Sequence, residues 1–192
     1  GYVWHTTGSG KTITSFKTAW LASRMPNVDK VIFVVDRIAL TKQTEDNYKA
    51  YDPEGSIDDG GKEYNNVSGT QNTDALENKL NKSGYGIIVT SVQKLNTLIK
   101  RKNFVLPKKK FVFIVDEAHR STGGESFEEL QKIFKGAAWV GYTGTPMFDE
   151  VVGKKGTKTH EVFGKLLHAY TICEAIADKN VLGFKVDFET TI

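Results

Sequence analysis

Two short strings carry most of the chemistry open to this chain of 192 residues. The first is Thr7-Gly8-Ser9-Gly10-Lys11-Thr12. Gly8 and Gly10 let the backbone bend tightly enough to aim several N–H groups at one anion, and Lys11 adds a cation for outer phosphates. The Thr12 hydroxyl can take one coordination position on a magnesium ion that the phosphates already bind. His5 stands where the usual Gly-x-x-x-x-Gly-Lys-Thr pattern has its first glycine, and reads as a packing residue rather than a ligand. The second string is Asp116-Glu117-Ala118-His119, delivered by the apolar run from Phe111 to Val115. An acid at the end of a buried strand after a phosphate-cradling loop is where a second magnesium contact belongs, which selects Asp116. Glu117, one residue on, can orient or deprotonate an attacking water.

Positioning these groups requires strands that end at a common edge. Gly1 to Trp4 reads as a short strand ahead of the cradle, and Ile13, Phe16, Ala19 and Trp20 repeat at helical spacing after it. Lys30 to Asp36, Gly86 to Thr90, Phe111 to Val115 and Ala138 to Tyr142 are apolar runs of strand length, the kind buried on both faces of a parallel sheet. Helical patterns separate them: Leu40, Thr44, Tyr48 and Tyr51; Leu76 and Leu80 behind a Thr73 cap; Val92, Leu95, Leu98 and Ile99 behind a Ser91 cap; and Phe127, Leu130 and Phe134 after Gly123-Gly124. The expected fold class is therefore α/β, a mostly parallel sheet with helices on both faces. Asp52 to Gly69, rich in Asp, Gly, Asn and Ser, reads as a mobile surface loop. Thr171 to Asp178 reads as a short helix, and Phe184 to Phe188 alternates as a last strand.

Composition narrows the field. One α/β domain of ordinary size accounts for the length. The net charge of +3 and pI near 8.8 permit nucleic-acid contact without requiring it. A lone Cys173 rules out an internal disulfide and suits a reducing cytoplasm, and the four histidines stand at no zinc-ligand spacing with it. No run approaches a membrane-spanning length. Lys100-Arg101-Lys102 and Lys108-Lys109-Lys110 read as solvated turns. Glu77-Asn78-Lys79 has the spelling of a nuclease motif, but on helical periodicity rather than a strand. Arg37, and the cluster Thr90, Ser91 and Lys94, fall at carboxyl ends of strands, where they can meet a phosphate backbone or serve as a helix start, a cap and a solvated lysine. Thr143-Gly144-Thr145-Pro146 ends another strand beside the acids.

The strings T-G-S-G-K-T at 7–12, D-R-x-x-L-x-x-Q at 36–43, V-T-S-V-Q-K-L at 89–95, D-E-A-H-R-S at 116–121 and G-Y-T-G-T-P at 141–146 follow the order of superfamily 2 helicase motors. With W-H-T-T-G-S-G-K-T, V-V-D-R and F-x-V-D-F, the chain resembles the first RecA-like lobe of the R (motor) subunit of type I restriction enzymes. That resemblance implies a P-loop NTPase lobe over 1–192, with a nuclease domain upstream, a second lobe bearing an arginine finger downstream, and 183–192 leading towards it. It implies ATP and magnesium as cofactors, and ATP-driven translocation of double-stranded DNA towards cleavage. Thr7, Gly8, Ser9, Gly10, Lys11 and Thr12 would bind the phosphates, with Thr12 and Asp116 on the metal. Lys11, Asp116, Glu117 and His119 would be catalytic. His119, Thr143, Gly144 and Thr145 would couple the sites, while Arg37, Gln43, Thr90, Ser91 and Lys94 would track DNA. Methyltransferase and specificity subunits would be partners in the cytoplasm. A type III restriction motor, a remodelling or repair motor, and an inactive scaffold lobe docking on the methyltransferase are the rival readings. The spatial requirement common to the motor readings is that Lys11 and Asp116 sit on neighbouring strand tips.

Overall fold

Residues 1–36, 38–57, 63–64, 66–84, 86–118, 125–148 and 158–183 are described by the computed structural model. The elements run β1 (Tyr2–His5), α1 (Lys11–Ala22), β2 (Lys30–Val35), α2 (Ile38–Tyr51), β3 (Ser56–Ile57), β4 (Glu63–Tyr64), β5 (Val67–Gly69) and α3 (Thr73–Asn81). They continue through β6 (Ile87–Ser91), α4 (Val92–Ile99), β7 (Phe111–Val115), α5 (Glu125–Ile133), β8 (Ala138–Thr143), α6 (Thr159–Phe163), β9 (Leu166–Tyr170) and α7 (Ile172–Ala177).

Seven strands form one sheet in the order β5-β6-β2-β7-β8-β1-β9, and each pairing in it is parallel. Parallel strands need crossovers, and the helices supply them while covering both faces, as the continuous apolar runs require. On β2 the alternation is plain. Ile32 and Val34 join one core with Leu76, Leu95, Phe113, Phe127 and Phe134, while Val31, Phe33 and Val35 join the other with Phe16, Ala19 and Tyr48. No helix among the described residues is long and apolar enough to cross a membrane.

Three expectations shift. The stretch 52–69 contains the short β3–β4 pair and β5, whose Val67 is buried, so it contributes an edge strand rather than only a surface loop. Composition hid this because one apolar residue suffices for a three-residue strand that borrows its neighbours' core. Asn72, not Thr73, caps α3, its side chain accepting from the Ala75 amide at 2.8 Å. Ile13 and Leu40 are exposed rather than inward, because α1 turns Ser15, Phe16, Ala19 and Ala22 to the sheet and α2 turns Thr41 and Tyr48. The described residues also form α6 and the edge strand β9. Gly123, Gly124 and the expected strand at 184–188 lie outside the described residues.

Both basic runs serve the fold. Lys109 Nζ donates to the carbonyls of Leu80, Asn81 and Lys82 at 2.7–2.9 Å, satisfying the end of α3, and Arg101 pairs with Asp74 and Glu77. Glu77 and Lys79 lie on α3, where Lys79 Nζ donates to the Gly69 carbonyl on the edge strand.

Phe113 is fully buried, stacked on Trp139 with ring centroids 4.0 Å apart and 4.9 Å from Phe134. Phe113→Ala is expected to lower unfolding free energy by about 3–5 kcal/mol, measured by urea titration of the domain.

Candidate functional site

The cradle forms where β1 hands over to α1. Gly8 and Gly10 both adopt left-handed backbone, with φ of 81° and 87°, which a residue with a Cβ rarely takes. Ser9 closes the turn twice on the Thr6 carbonyl, through its amide at 3.3 Å and its hydroxyl at 2.6 Å. Gly10 is the N-cap of α1, with no capping side chain, and the helix has no acid in its first turn. The leading amides and the positive end of the helix dipole therefore meet no compensating group from α1 itself, a setting that favours an anion. Thr7 and Thr12 are exposed on the loop and at the helix start.

Two hydroxyl pairs set the pose of α1. Ser15 bonds the buried Tyr48 hydroxyl of α2 at 2.8 Å, and Thr18 bonds Tyr142 of β8 at 2.6 Å. Burial pushes both phenols above the ordinary tyrosine value, so each stays neutral and available for these bonds. Tyr48 and Tyr142 entered the sequence reading only as parts of a helical pattern and a strand, and Ser15 and Thr18 not at all, so neither hydroxyl pair was foreseen.

Lys11 reaches the acids. Its ammonium donates to Glu117 Oε1 and lies 3.6 Å from Asp116 Oδ1, joining groups more than a hundred positions apart in sequence. The strands that carry them are not neighbours, because β8 lies between β1 and β7. Contact is made from the strand tips by the reach of the lysine side chain. Asp116 is tied down by its amide, which donates to Val34 O at 2.9 Å, and its Oδ1 accepts from the Glu117 amide at 3.0 Å. Glu117 has φ of 48°, uncommon for a residue with a side chain, and this backbone sets where its carboxylate can reach. Desolvation pushes the Asp116 carboxyl above its ordinary value against the pull of Lys11, with a further push from the Glu117 charge.

The turn after β8 closes the third side. Thr143 is fully buried and its hydroxyl accepts from the Thr145 amide at 3.1 Å. A Cβ on Gly144 would lie 3.3 Å from both His5 O and Thr7 Oγ1, so the missing side chain lets this turn press on the cradle. Trp4 Nε1 adds a bond to Gly144 O at 3.2 Å.

The remaining candidates lie apart. Thr90 and Ser91 are fully buried. The Thr90 hydroxyl accepts from Thr70 at 2.9 Å, Ser91 caps α4 through the Lys94 amide, and Lys94 Nζ donates to Thr70 O. These two hydroxyls build the strand end instead of facing outward. Four strand spacings, about 19 Å, separate β6 from β1. Gln43 is exposed on α2. Arg37 and His119 fall outside the described residues.

Because folded Asp116 keeps its proton to higher pH than it does unfolded, its protonated form favours the fold at acid pH, and ionisation costs stability as pH climbs through the raised value. Asp116→Asn should therefore raise the thermal midpoint at pH 7 by a few degrees and flatten the fall in stability between acid and neutral pH, read by calorimetry across that range.

Comparisons with known proteins bear on the family and the fold. The SWI2/SNF2 ATPase family matches over residues 1–192. A type I restriction enzyme endonuclease subunit from Staphylococcus aureus is 42% identical over 194 residues, an alignment covering 100% of this chain and 20% of that protein. The chain thus spans about a fifth of the length of the curated relatives it matches most fully. Among solved structures, the ATP-dependent Type ISP restriction-modification enzyme LlaBIII bound to DNA has a TM-score of 0.63 at 18% identity, covering 93% of this chain and 14% of its own. The Hef helicase domain of Pyrococcus furiosus has a TM-score of 0.63 at 16% identity, covering 88% and 34%. At such identities the two structures speak to fold, and that fold is the RecA-like one. With phosphate cradle, acids and sheet order in one frame, the chain belongs to the SWI2/SNF2 ATPase family, and its curated homologues are endonuclease subunits of type I restriction enzymes.

Proposed function

We propose that this chain is the ATP-binding motor lobe of a type I restriction enzyme's R subunit, which moves double-stranded DNA by ATP hydrolysis ahead of cleavage. The observation that carries the reading is the Lys11 ammonium set between Asp116 and Glu117 at the end of a phosphate cradle. The curated relatives supply the restriction context, and methyltransferase and specificity subunits in the cytoplasm are the partners proposed with it.

The residues fit a magnesium triphosphate. Oxygen donors from Thr12 and Asp116 match the preference of Mg²⁺, and with no side chain capping α1 its leading amides can serve the phosphates. Bound there, the ion would neutralise charge on the transferred phosphoryl group. Thr7 to Thr12 bind the phosphate chain. An arriving polyanion competes for the Lys11 ammonium and loosens its pair with Glu117. Glu117 then orients the attacking water and takes its proton as the bond between the γ-phosphorus and the ADP oxygen breaks. Thr143, Gly144 and Thr145, pressed on Thr7, relay loop geometry to the strand edge, with His119 in the same coupling role. Arg37, Gln43 and Lys94 supply contacts to the DNA backbone, with Thr90 and Ser91 shaping the strand end that presents Lys94.

Lys11→Ala in the assembled restriction complex should abolish DNA translocation, followed by triplex displacement, and cut DNA-stimulated ATPase by about 10³-fold or more. Unaffected translocation would leave only a scaffold role. Residues 1–192 alone, without a second lobe's arginine, should bind Mg-ATP yet turn it over about 10³–10⁵-fold more slowly than the complex. Robust DNA-stimulated turnover by that piece would overturn the assignment of the missing arginine.

A further inference from the structure

The last described strand and helix touch the phosphate cradle from the side opposite the acids. The amide of Thr6, just before the loop, donates to Tyr170 O at 3.0 Å, which stitches the end of β9 to the loop's first residue. Beneath it His5 is 7% exposed, packed on the rings of His168 and Tyr170 at 5.3 and 5.7 Å. Among the described residues neither nitrogen of His5 finds a hydrogen-bond partner. Its backbone is held by the β1–β9 ladder, in which His5 stands opposite Tyr170, while its ring is held by packing rather than by hydrogen bonds, so the ring of Tyr170 helps to place the residue on which the cradle rests.

Tyr170 is fixed by the chain that follows α7. Its hydroxyl donates to Asp178 Oδ2 at 2.8 Å and accepts from Asn180 Nδ2 at 2.7 Å. Asp178 and Asn180 are in turn set by a tight stop to the helix. Lys179 takes left-handed backbone with φ of 60°, the Lys179 amide donates to Ile176 O at 3.0 Å, and the Asn180 amide donates to Ala175 O at 2.9 Å. The Val181 amide adds a second donor to Ala175 O at 3.1 Å. This turn directs Val181 back over the loop, where its Cγ2 lies 3.9 Å from the place a Cβ would occupy on Gly8. The neighbouring Leu182 is 91% exposed, so the approach of Val181 is not a general collapse of the segment.

We infer that Tyr170 and Val181 are positioning residues for the phosphate loop, forming a clamp through which loop occupancy is felt by the chain leaving α7. Tyr170 acts from below through His5 and the Thr6 amide, and the Val181 methyl stands beside Gly8 from outside. Gly8 is required by its left-handed backbone rather than by the space beside it, and the Val181 methyl stands at van der Waals range of the position a Cβ would take. A ligand that immobilises Gly8 stabilises the Val181 contact and the Tyr170 bonds, and by thermodynamic reciprocity loosening the clamp weakens the ligand by the same factor. The positioning role stands on geometry alone, whereas its link to occupancy rests on the nucleotide reading above.

Hydrogen exchange by mass spectrometry on the intact protein separates the two. Val181→Ala and Tyr170→Phe should each speed exchange of the amides at 6–10 by about three- to tenfold without nucleotide, while Leu182→Ala leaves them unchanged and Val181→Ile keeps wild-type protection. Mg-ATPγS should slow exchange at 178–183 in the wild type, and the two loosened variants should bind it more weakly by the factor seen at the loop. Unchanged loop exchange in both variants, or an equal effect from Leu182→Ala, overturns the clamp. Altered loop exchange in a protein that binds no Mg-ATPγS upholds the positioning role and refutes the nucleotide reading instead.

Discussion

The pairing of Lys11 with Asp116 and Glu117 is the constraint on which the site depends. Lys11 is 13% exposed and Asp116 26%, so neither charge has full access to water, and each needs the other near it. Two acids side by side at a strand tip repel, and burial further disfavours their ionised forms. A single ammonium between them relieves part of both effects, though burial still prevails at Asp116, and it can do so only if the tips of β1 and β7 end at the same level. An all-parallel sheet meets that condition because every strand points its carboxyl end to one edge. The fold and the charge cluster are in this sense one problem, since an antiparallel arrangement would send one of the tips to the other side.

Keeping Lys11 on target also requires that α1 not rotate. The pairs Ser15–Tyr48 and Thr18–Tyr142 lie on successive turns of that helix and anchor it to two different elements. A hydroxyl pair is directional where apolar packing is not, so the two bonds set rotation and register as well as contact. Gly144 contributes by omission, allowing the turn after β8 to approach His5 and Thr7. The left-handed backbone at Glu117 stores a small amount of strain beside the chemistry, a place where such strain recurs in proteins.

Charge is used economically away from the site. Lys109 and Arg101 neutralise a helix end and two helical acids, so the basic runs at 100–102 and 108–110 are partly consumed by the fold. The modest net charge agrees with a domain whose cations work in local pairs rather than as one continuous field.

Much of this was legible in the sequence, for a physical reason. Strands covered on both faces are mostly apolar, so the runs of β2, β6, β7 and β8 announced themselves, and glycine takes positive φ most readily, so Gly8 and Gly10 marked the turn. Lys11, Asp116 and Glu117 could be named from local strings because the chemistry proposed for them would call for those residue types just after a strand. What the string could not carry was relative placement. That β8 separates β1 from β7, that Thr90 faces inward, that Val67 completes an edge strand, and that Tyr170 and Val181 bear on the loop are matters of sheet order and crossover direction. Strand order is decided by how whole faces of many residues pack, and no single position along the chain records it.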